Sequence, residues 1–240
     1  MLEVKNLKKR FGDFEAVKGI SFSVKKGEVL GFLGPNGAGK STTMRMITGF
    51  LPPTSGTAVI DGHDIALEPV AAKAAIGYLP ESAPSYRAMV VEDYLTFIAE
   101  IRGFTGTAAR DAVARVIEKA RLAPVARKTI ETLSKGYRQR TCFAQAIIHD
   151  PKVLIMDEPT DGLDPNQKFT VREMIKEMAA EKAIVISTHL LEEVDAVCTR
   201  AIVIADGEIK ADGTPAQLKA MDPSGRLDVV FRNLTKGGAQ

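Results

Sequence analysis

Apolar positions at the start of the chain recur at close to the two-residue spacing of a strand. Leu2, Val4 and Leu7 come first, then Ile20, Phe22 and Val24, with breaks at Gly12-Asp13 and Lys26-Gly27. This predicts two antiparallel strands within residues 2–30, leading into a short apolar run, Val29 to Leu33. A helix is expected at about Lys40 to Thr48, then a turn over Leu51-Pro-Pro-Thr-Ser-Gly56. Thr57 to Ile60 reads as a strand with a tight turn at Asp61-Gly62, and Ala74 to Leu79 as a buried strand ending at Pro80-Glu81. From Ser82 to about Asp150 the texture changes: helical periodicity appears in Val90 to Ile101, Thr107 to Leu122 and Tyr137 to His149, predicting an inserted helical subdomain. Strand signals return as Val153 to Met156 and Ala183 to Ser187, separated by a helix near Pro165 to Glu181, the pattern of parallel strands joined by a crossover helix. Ala201 to Ala205 and Glu208 to Lys210 flank Asp206-Gly207 as a hairpin. The tail from Asp222 carries one alternating run, Leu227 to Leu234, and a Gly237-Gly-Ala-Gln240 end expected to fray.

Directly after Val29 to Leu33 stand Gly34, Pro35, Asn36, Gly37, Ala38, Gly39, Lys40, Ser41 and Thr42. A glycine, four residues and then Gly-Lys-Ser between a strand and a helix is the phosphate-binding P-loop pattern. Glycines allow backbone conformations closed to other residues, so successive N–H groups can point at one anion. The helix start adds its positive end, Lys40 reaches the terminal phosphates as a point charge, and Ser41 offers a hydroxyl to phosphate-bound Mg²⁺. A nucleoside triphosphate is the expected ligand, although a glycine-rich turn joining strand to helix uses the same residues. The motif alone does not choose among kinases, GTPases, helicases and transport ATPases.

At 240 residues with 45% hydrophobic content, the chain suffices for one large domain or two small ones around a sizeable core. A net charge of +2 leaves no broad basic footprint, and Lys8-Lys9-Arg10 reads as a solvated strand or turn, so a nucleic-acid partner is not expected. The two cysteines, Cys142 and Cys198, match no metal spacing and suggest a reducing compartment. The N-terminus lacks an apolar signal core, and no segment approaches the ~18 consecutive apolar residues of a membrane helix. Any membrane role is therefore expected to come through a partner.

Two further stretches carry chemistry. Val153-Leu-Ile-Met-Asp157-Glu158-Pro159 delivers two carboxylates at the C-terminal end of a buried strand, where α/β ligand sites form. Asp157 can hold the Mg²⁺ shell, and Glu158 can position and polarise a water; a merely polar strand end remains the alternative. Leu133-Ser-Lys-Gly-Tyr-Arg-Gln-Arg140 places Ser134 and a close-approach Gly136 at a helix start, which is either a second phosphate site or a plain helix cap.

Together these residues resemble the nucleotide-binding subunit of ATP-binding cassette transporters, over about Leu2 to Leu218. The matching elements, in order, are the P-loop, Tyr78-Leu-Pro-Glu81, the Leu133 to Gln139 signature, Asp157-Glu158, the D-loop-like Asp161-Gly-Leu-Asp164 and Ser187-Thr-His189. The resemblance implies an α/β fold: a P-loop NTPase (RecA-like) core, an N-terminal antiparallel β subdomain, and an α-helical subdomain inserted at about 82–150. Residues 1–220 would form this ATPase domain and 221–240 a short C-terminal extension. It also implies that Phe11 stacks on adenine beside Val17, that Asp164 contacts an opposite subunit, and that His189 touches the γ-phosphate and the water. On pattern alone His189 is equally a structural residue opening a helix. Phe11 stands where the family more often has tyrosine, which keeps the π-face, worth ~1–3 kcal/mol in stacking. Glu81 replaces the usual glutamine, still able to ligand Mg²⁺ while adding negative charge near the triphosphate. The Leu-Ser-Lys-Gly-Tyr-Arg-Gln-Arg form resembles the type-2 export branch, which includes gliding-motility-like and multidrug-export ATPases. The expected function is ATP hydrolysis, with ATP and Mg²⁺ as cofactors, powering a separate membrane permease. The expected assembly is a homodimer or a heterodimer with a paralogue formed on ATP binding, cytoplasmic and held at the inner face of the cell membrane through the permease. The alternative is a cassette ATPase uncoupled from transport, such as one of iron–sulfur assembly.

Overall fold

A computed structural model describes residues 1–236, so the predicted frayed end, Gly237 to Gln240, lies outside the described residues. The chain begins with β1 (Leu2–Phe11) and β2 (Phe14–Val24), paired antiparallel as their alternation predicts, and continues into β3 (Val29–Leu33), whose residues are all buried. The P-loop then turns into α1 (Lys40–Ile47). β4 (Ser55–Ile60) and β5 (His63–Asp64) return to the first sheet, giving the order β2-β1-β4-β5. α2 (Pro69–Ala74) leads to β6 (Ile76–Leu79), so the strand predicted from Ala74 starts two residues later and its first residue closes a helix.

Three α-helices occupy the stretch between β6 and the next strand: α3 (Val91–Ile101), α4 (Gly106–Lys119) and α5 (Lys135–Ile147), close to their periodic signals. The chain then builds β7 (Val153–Asp157), α6 (Pro165–Ala179), β8 (Ala183–Thr188), α7 (Leu191–Val197), β9 (Arg200–Ala205) and β10 (Glu208–Gly213). The second sheet has the order β10-β9-β3-β8-β7-β6, parallel throughout except for the β9–β10 hairpin. Its central strands are buried on both faces, as uninterrupted apolar runs require. In β7, Leu154 and Met156 join the core under α5 and α6, while Val153 and Ile155 join the core between the two sheets, with Leu2, Val4, Phe22, Phe32 and Met44.

α8 (Pro215–Lys219) is opened by a reciprocal cap between Thr214 and Gln217, and α9 (Leu227–Thr235) follows. α9 corrects the alternating strand-like reading of Leu227 to Leu234. Leu227, Val230, Phe231 and Leu234 share one helical face, and that face packs against Val203, Val194 and Leu218. No helix of the described residues is long and apolar enough to cross a membrane.

The helical insert is tied back to the sheet just past α5, where His149 Nε2 lies 2.9 Å from the Ile76 carbonyl. Burial, reinforced by the nearby Arg102 charge, pushes the imidazole down to about 4. Between about 4 and the ordinary value of 6.5, the unfolded chain binds this proton and the folded chain does not. Stability from this group is therefore complete above that window and falls on acidification through it. His149→Gln keeps a donor for the carbonyl and removes the titration. The melting-temperature advantage of the native chain over this variant is expected to shrink as pH falls across the window; a constant difference would place the dependence elsewhere.

Candidate functional site

The register of the parallel sheet sets the site. Leu33 of β3 stands opposite Thr188 of β8, and Asp157 of β7 stands opposite Ser187, so the chain leaves all three strands at one edge of the sheet. There the P-loop, Glu158 and His189 converge, with Asp157 joined to the P-loop through Ser41. Gly34 and Gly39 are required by packing as well as by phosphate chemistry. A Cβ on Gly34 would lie 2.5 Å from the Ile204 carbonyl oxygen, and one on Gly39, at φ 101°, would lie 2.6 Å from that of Ala16.

Lys40 opens α1 at 6% exposure. Its ammonium donates to the Gly34 carbonyl at 2.7 Å and the Pro35 carbonyl at 3.2 Å, and it faces Glu158 Oε1 at 3.7 Å, an ion pair too long for a hydrogen bond. Burial holds this ammonium below the usual lysine value, opposed by the Glu158 and Asp157 charges. Asp157 accepts from the Ser187 hydroxyl and, at 3.3 Å, from the Ser41 hydroxyl, linking both strand ends to the P-loop. Glu158 departs from strand geometry with φ 49°, a left-handed backbone that costs a non-glycine residue roughly 1 kcal/mol or more. That turn sends its carboxylate away from Asp157, toward Lys40 on one side and His189 Nδ1 at 2.9 Å on the other. A carboxylate only accepts, so Nδ1 carries the proton in this contact.

Lys40, Ser41, Glu158 and His189 line a cavity of about 540 Å³ with Phe11, Asn36, Gly37, Thr42 and Glu81, while Asp157 lies behind Ser41. A hollow of about 1080 Å³ shares Phe14, Ala16, Asn36 and Gly37 with it and continues along β2 to the turn at Asp206-Gly207. Among the described residues, no group of three or more His, Cys, Asp or Glu side chains is disposed to hold a metal by itself. Ser41, Asp157 and Glu81 instead suit a cation that keeps waters and takes further oxygens from a bound phosphate chain, the habit of Mg²⁺.

Other expected site residues fall differently. Phe11 is half exposed, with Lys9 Nζ 5.1 Å from its ring centroid. Val17 is 1% exposed and lies behind Gly39, off the cavity surface. Ala16 and Phe14, which the sequence reading missed, take the lining. Ala16 is the extra residue of a bulge: Lys9 pairs with Val17 and Arg10 with Glu15, so the alternation slips by one. Phe14 had a signal, an apolar residue directly after a Gly-Asp turn with no place in a buried alternation. Ser134 caps α5, its hydroxyl accepting from Tyr137 N, and Gly136 is buried where a Cβ would lie 2.5 Å from Gln167 Oε1. Asp164 caps α6 through Asn166 N and Gln167 N. Ser134, Gly136 and Asp164 are not among the residues lining the P-loop cavity.

A sequence model of the family described as ABC transporter matches residues 17–161, more than half of the chain. The chain belongs to the ABC transporter family. The linearmycin resistance ATP-binding protein LnrL of Bacillus subtilis (strain 168) is 42% identical over 219 residues, covering 91% of this chain and 70% of that protein. The Nod factor export ATP-binding protein I of Burkholderia orbicola (strain AU 1054) is 38% identical over 218 residues, covering 90% and 72%. A solved structure of an ATP binding subunit of an ABC transporter superposes with a TM-score of 0.86 at 28% identity, covering 98% of this chain and 99% of that one. This chain is accordingly an ABC ATP-binding subunit and an ATPase, with the cassette fold of parallel core, antiparallel sheet and helical insert.

Replacing the P-loop cation tests the binding half of the site. A charge-assisted contact to phosphate is worth ~1.5–3 kcal/mol, so Lys40→Ala is expected to weaken ATP binding by about 10- to 100-fold or more. Equilibrium titration with a fluorescent ATP analogue measures this, and unchanged affinity would remove Lys40 from the phosphate site.

Proposed function

We propose that this subunit hydrolyses Mg-ATP between two copies of the cassette and so drives a separate membrane permease, in the direction of export. The observation that carries the reading is Glu158, a buried carboxylate held between Lys40 and His189 at the mouth of a P-loop cavity. In the proposed reaction the triphosphate draws Lys40 off the Gly34 and Pro35 carbonyls; Ser41, Asp157 and Glu81 would hold Mg²⁺, which would supply positive charge against the phosphates. Glu158 is then free to accept the proton of the attacking water, while His189 turns toward the γ-phosphate. Phe11, with Phe14 beside it, offers the adenine a π-face.

One feature of the geometry supports a second copy. Ser134 and Gly136 begin a helix suited to an anion, yet the cavity of their own chain does not include them. Head-to-tail pairing would lay that helix start, and Asp164, against the phosphates held by the other chain. The partner is a second copy or a paralogue, and nucleotide would serve as part of the interface. For the permease, the supporting feature is a hollow of about 470 Å³ lined by Phe50, Tyr78, Lys73 and Arg102, with Phe50 76% exposed. A chain whose described helices cannot span a bilayer would take a permease segment there and sit at the cytoplasmic face of the membrane. Export rests on the similarity to the Nod factor export protein and on the Leu-Ser-Lys-Gly-Tyr-Arg-Gln-Arg form of the signature.

Glu158→Gln separates hydrolysis from assembly, because an amide fills the same volume and cannot take the water's proton. Turnover is expected to fall by ~10²–10⁴-fold with ATP affinity retained, and the variant to dimerise with Mg-ATP and stay monomeric with ADP. Light scattering with a phosphate-release assay reads both; normal turnover, or equal dimerisation with ADP, would contradict the reading.

A further inference from the structure

α6 and α7 each begin beside a segment that the proposed reaction uses: Asp164 caps α6, and His189 stands two residues ahead of α7. The two helices are joined by a ladder of charges. Lys168 Nζ lies 2.7 Å from Glu192 Oε1, and Arg172 donates to a single Glu193 oxygen from Nε at 3.0 Å and from Nη2 at 2.6 Å. Arg172 Nη2 also lies 3.3 Å from Glu192 Oε1. The outer pair is ordinary surface chemistry, since Glu192 is 55% exposed and such contacts contribute little.

The inner pair differs. Glu193 is 0% exposed, and its Oε2 is buried with no hydrogen-bond partner among the described residues. A desolvated carboxylate with one oxygen unsatisfied is a poor source of stability, and an apolar residue of similar size would pack there at lower cost. What it supplies is location. α7 has seven residues, and its buried apolar side chains are Val194 and Val197, with Leu191 and Ala196 only partly buried against the core. Apolar contacts of that extent tolerate sliding and rotation, whereas two N–H donors converging on one oxygen fix both.

We propose that the Arg172–Glu193 pair is a positioning contact for hydrolysis, locking α7 to α6 so that the loop carrying His189 is held beside Glu158 and the P-loop cavity, within reach of the γ-phosphate. The inference rests on the proposed action of His189 at the γ-phosphate. Through this lock, the helix that begins at Asp164 and the loop that carries His189 move as one body, so a partner that shifts α6 also shifts the histidine.

The test measures steady-state ATPase activity, KM for ATP and melting temperature for Glu193→Gln, Arg172→Met and Arg172→Lys. Each is made in the native and in the His189→Ala background. Glu193→Gln, which preserves volume, and Arg172→Met are expected to lower kcat by about 10- to 100-fold, with KM within about two-fold, and Arg172→Lys to restore part of the loss. In the His189→Ala background the same changes should cause no further loss. Native kcat in Glu193→Gln, or an equal fold-loss in both backgrounds, overturns the positioning role while leaving that of His189 standing. Native kcat in His189→Ala alone overturns both. Should Arg172→Met fail to fold, the His189 Nδ1–H proton resonance in Glu193→Gln decides: displacement supports the contact, and an unmoved resonance contradicts it.

Discussion

The lateral register of three parallel strands is the constraint on which the molecule depends. Because Leu33 pairs with Thr188 and Asp157 with Ser187, the chain must exit β3, β7 and β8 at the same height. A slip of one residue would turn Asp157 into the core and carry Glu158 away from Lys40 and His189. Both faces of these strands are sealed, one by α5 and α6 and the other by the antiparallel sheet, so register is specified from two sides. The strained backbone at Glu158 is tolerable because the strand behind it cannot move.

That constraint explains why the site is electrostatically closed within one chain. Glu158 lies between the Lys40 and His189 side chains, Lys40 donates to the Gly34 and Pro35 carbonyls, and Asp157 is held by Ser41 and Ser187. On the proposed reaction, a bound triphosphate would compete for both Lys40 and His189, and hydrolysis would thereby be tied to a change of shape.

Much of this was legible in the sequence for identifiable reasons. The P-loop and the Asp157-Glu158 strand end are local, and their residue types follow from what phosphate and metal require. The long periodic segments became α3, α4, α5 and α6 nearly where their apolar spacing placed them. What failed was short or non-local. α2 has six residues, too few for a period to show, though Pro69 at its start was a cue. α9 offered both readings, since Leu227 and Phe231 fit an alternation as well as a helical face, and only packing on β9 and α8 selects the helix. Val17 changed places with Ala16 because of a bulge that depends on the pairing of β1 with β2. Gly136 has a second reason for its size, the side chain of Gln167 from a distant helix, which no local pattern displays.

On the function proposed above, the separation of Ser134 and Gly136 from the P-loop cavity would make each chain half of a reaction centre. This is tested most directly by mixing two inactive chains, Lys40→Ala and Ser134→Arg, and measuring phosphate release in a single turnover of Mg-ATP. Head-to-tail pairing gives the mixed dimer one site in which both halves are native, so the mixture should recover activity that neither variant shows alone. Activity no greater than the sum of the separate variants, with mixed dimers demonstrably formed, would contradict a site shared between chains.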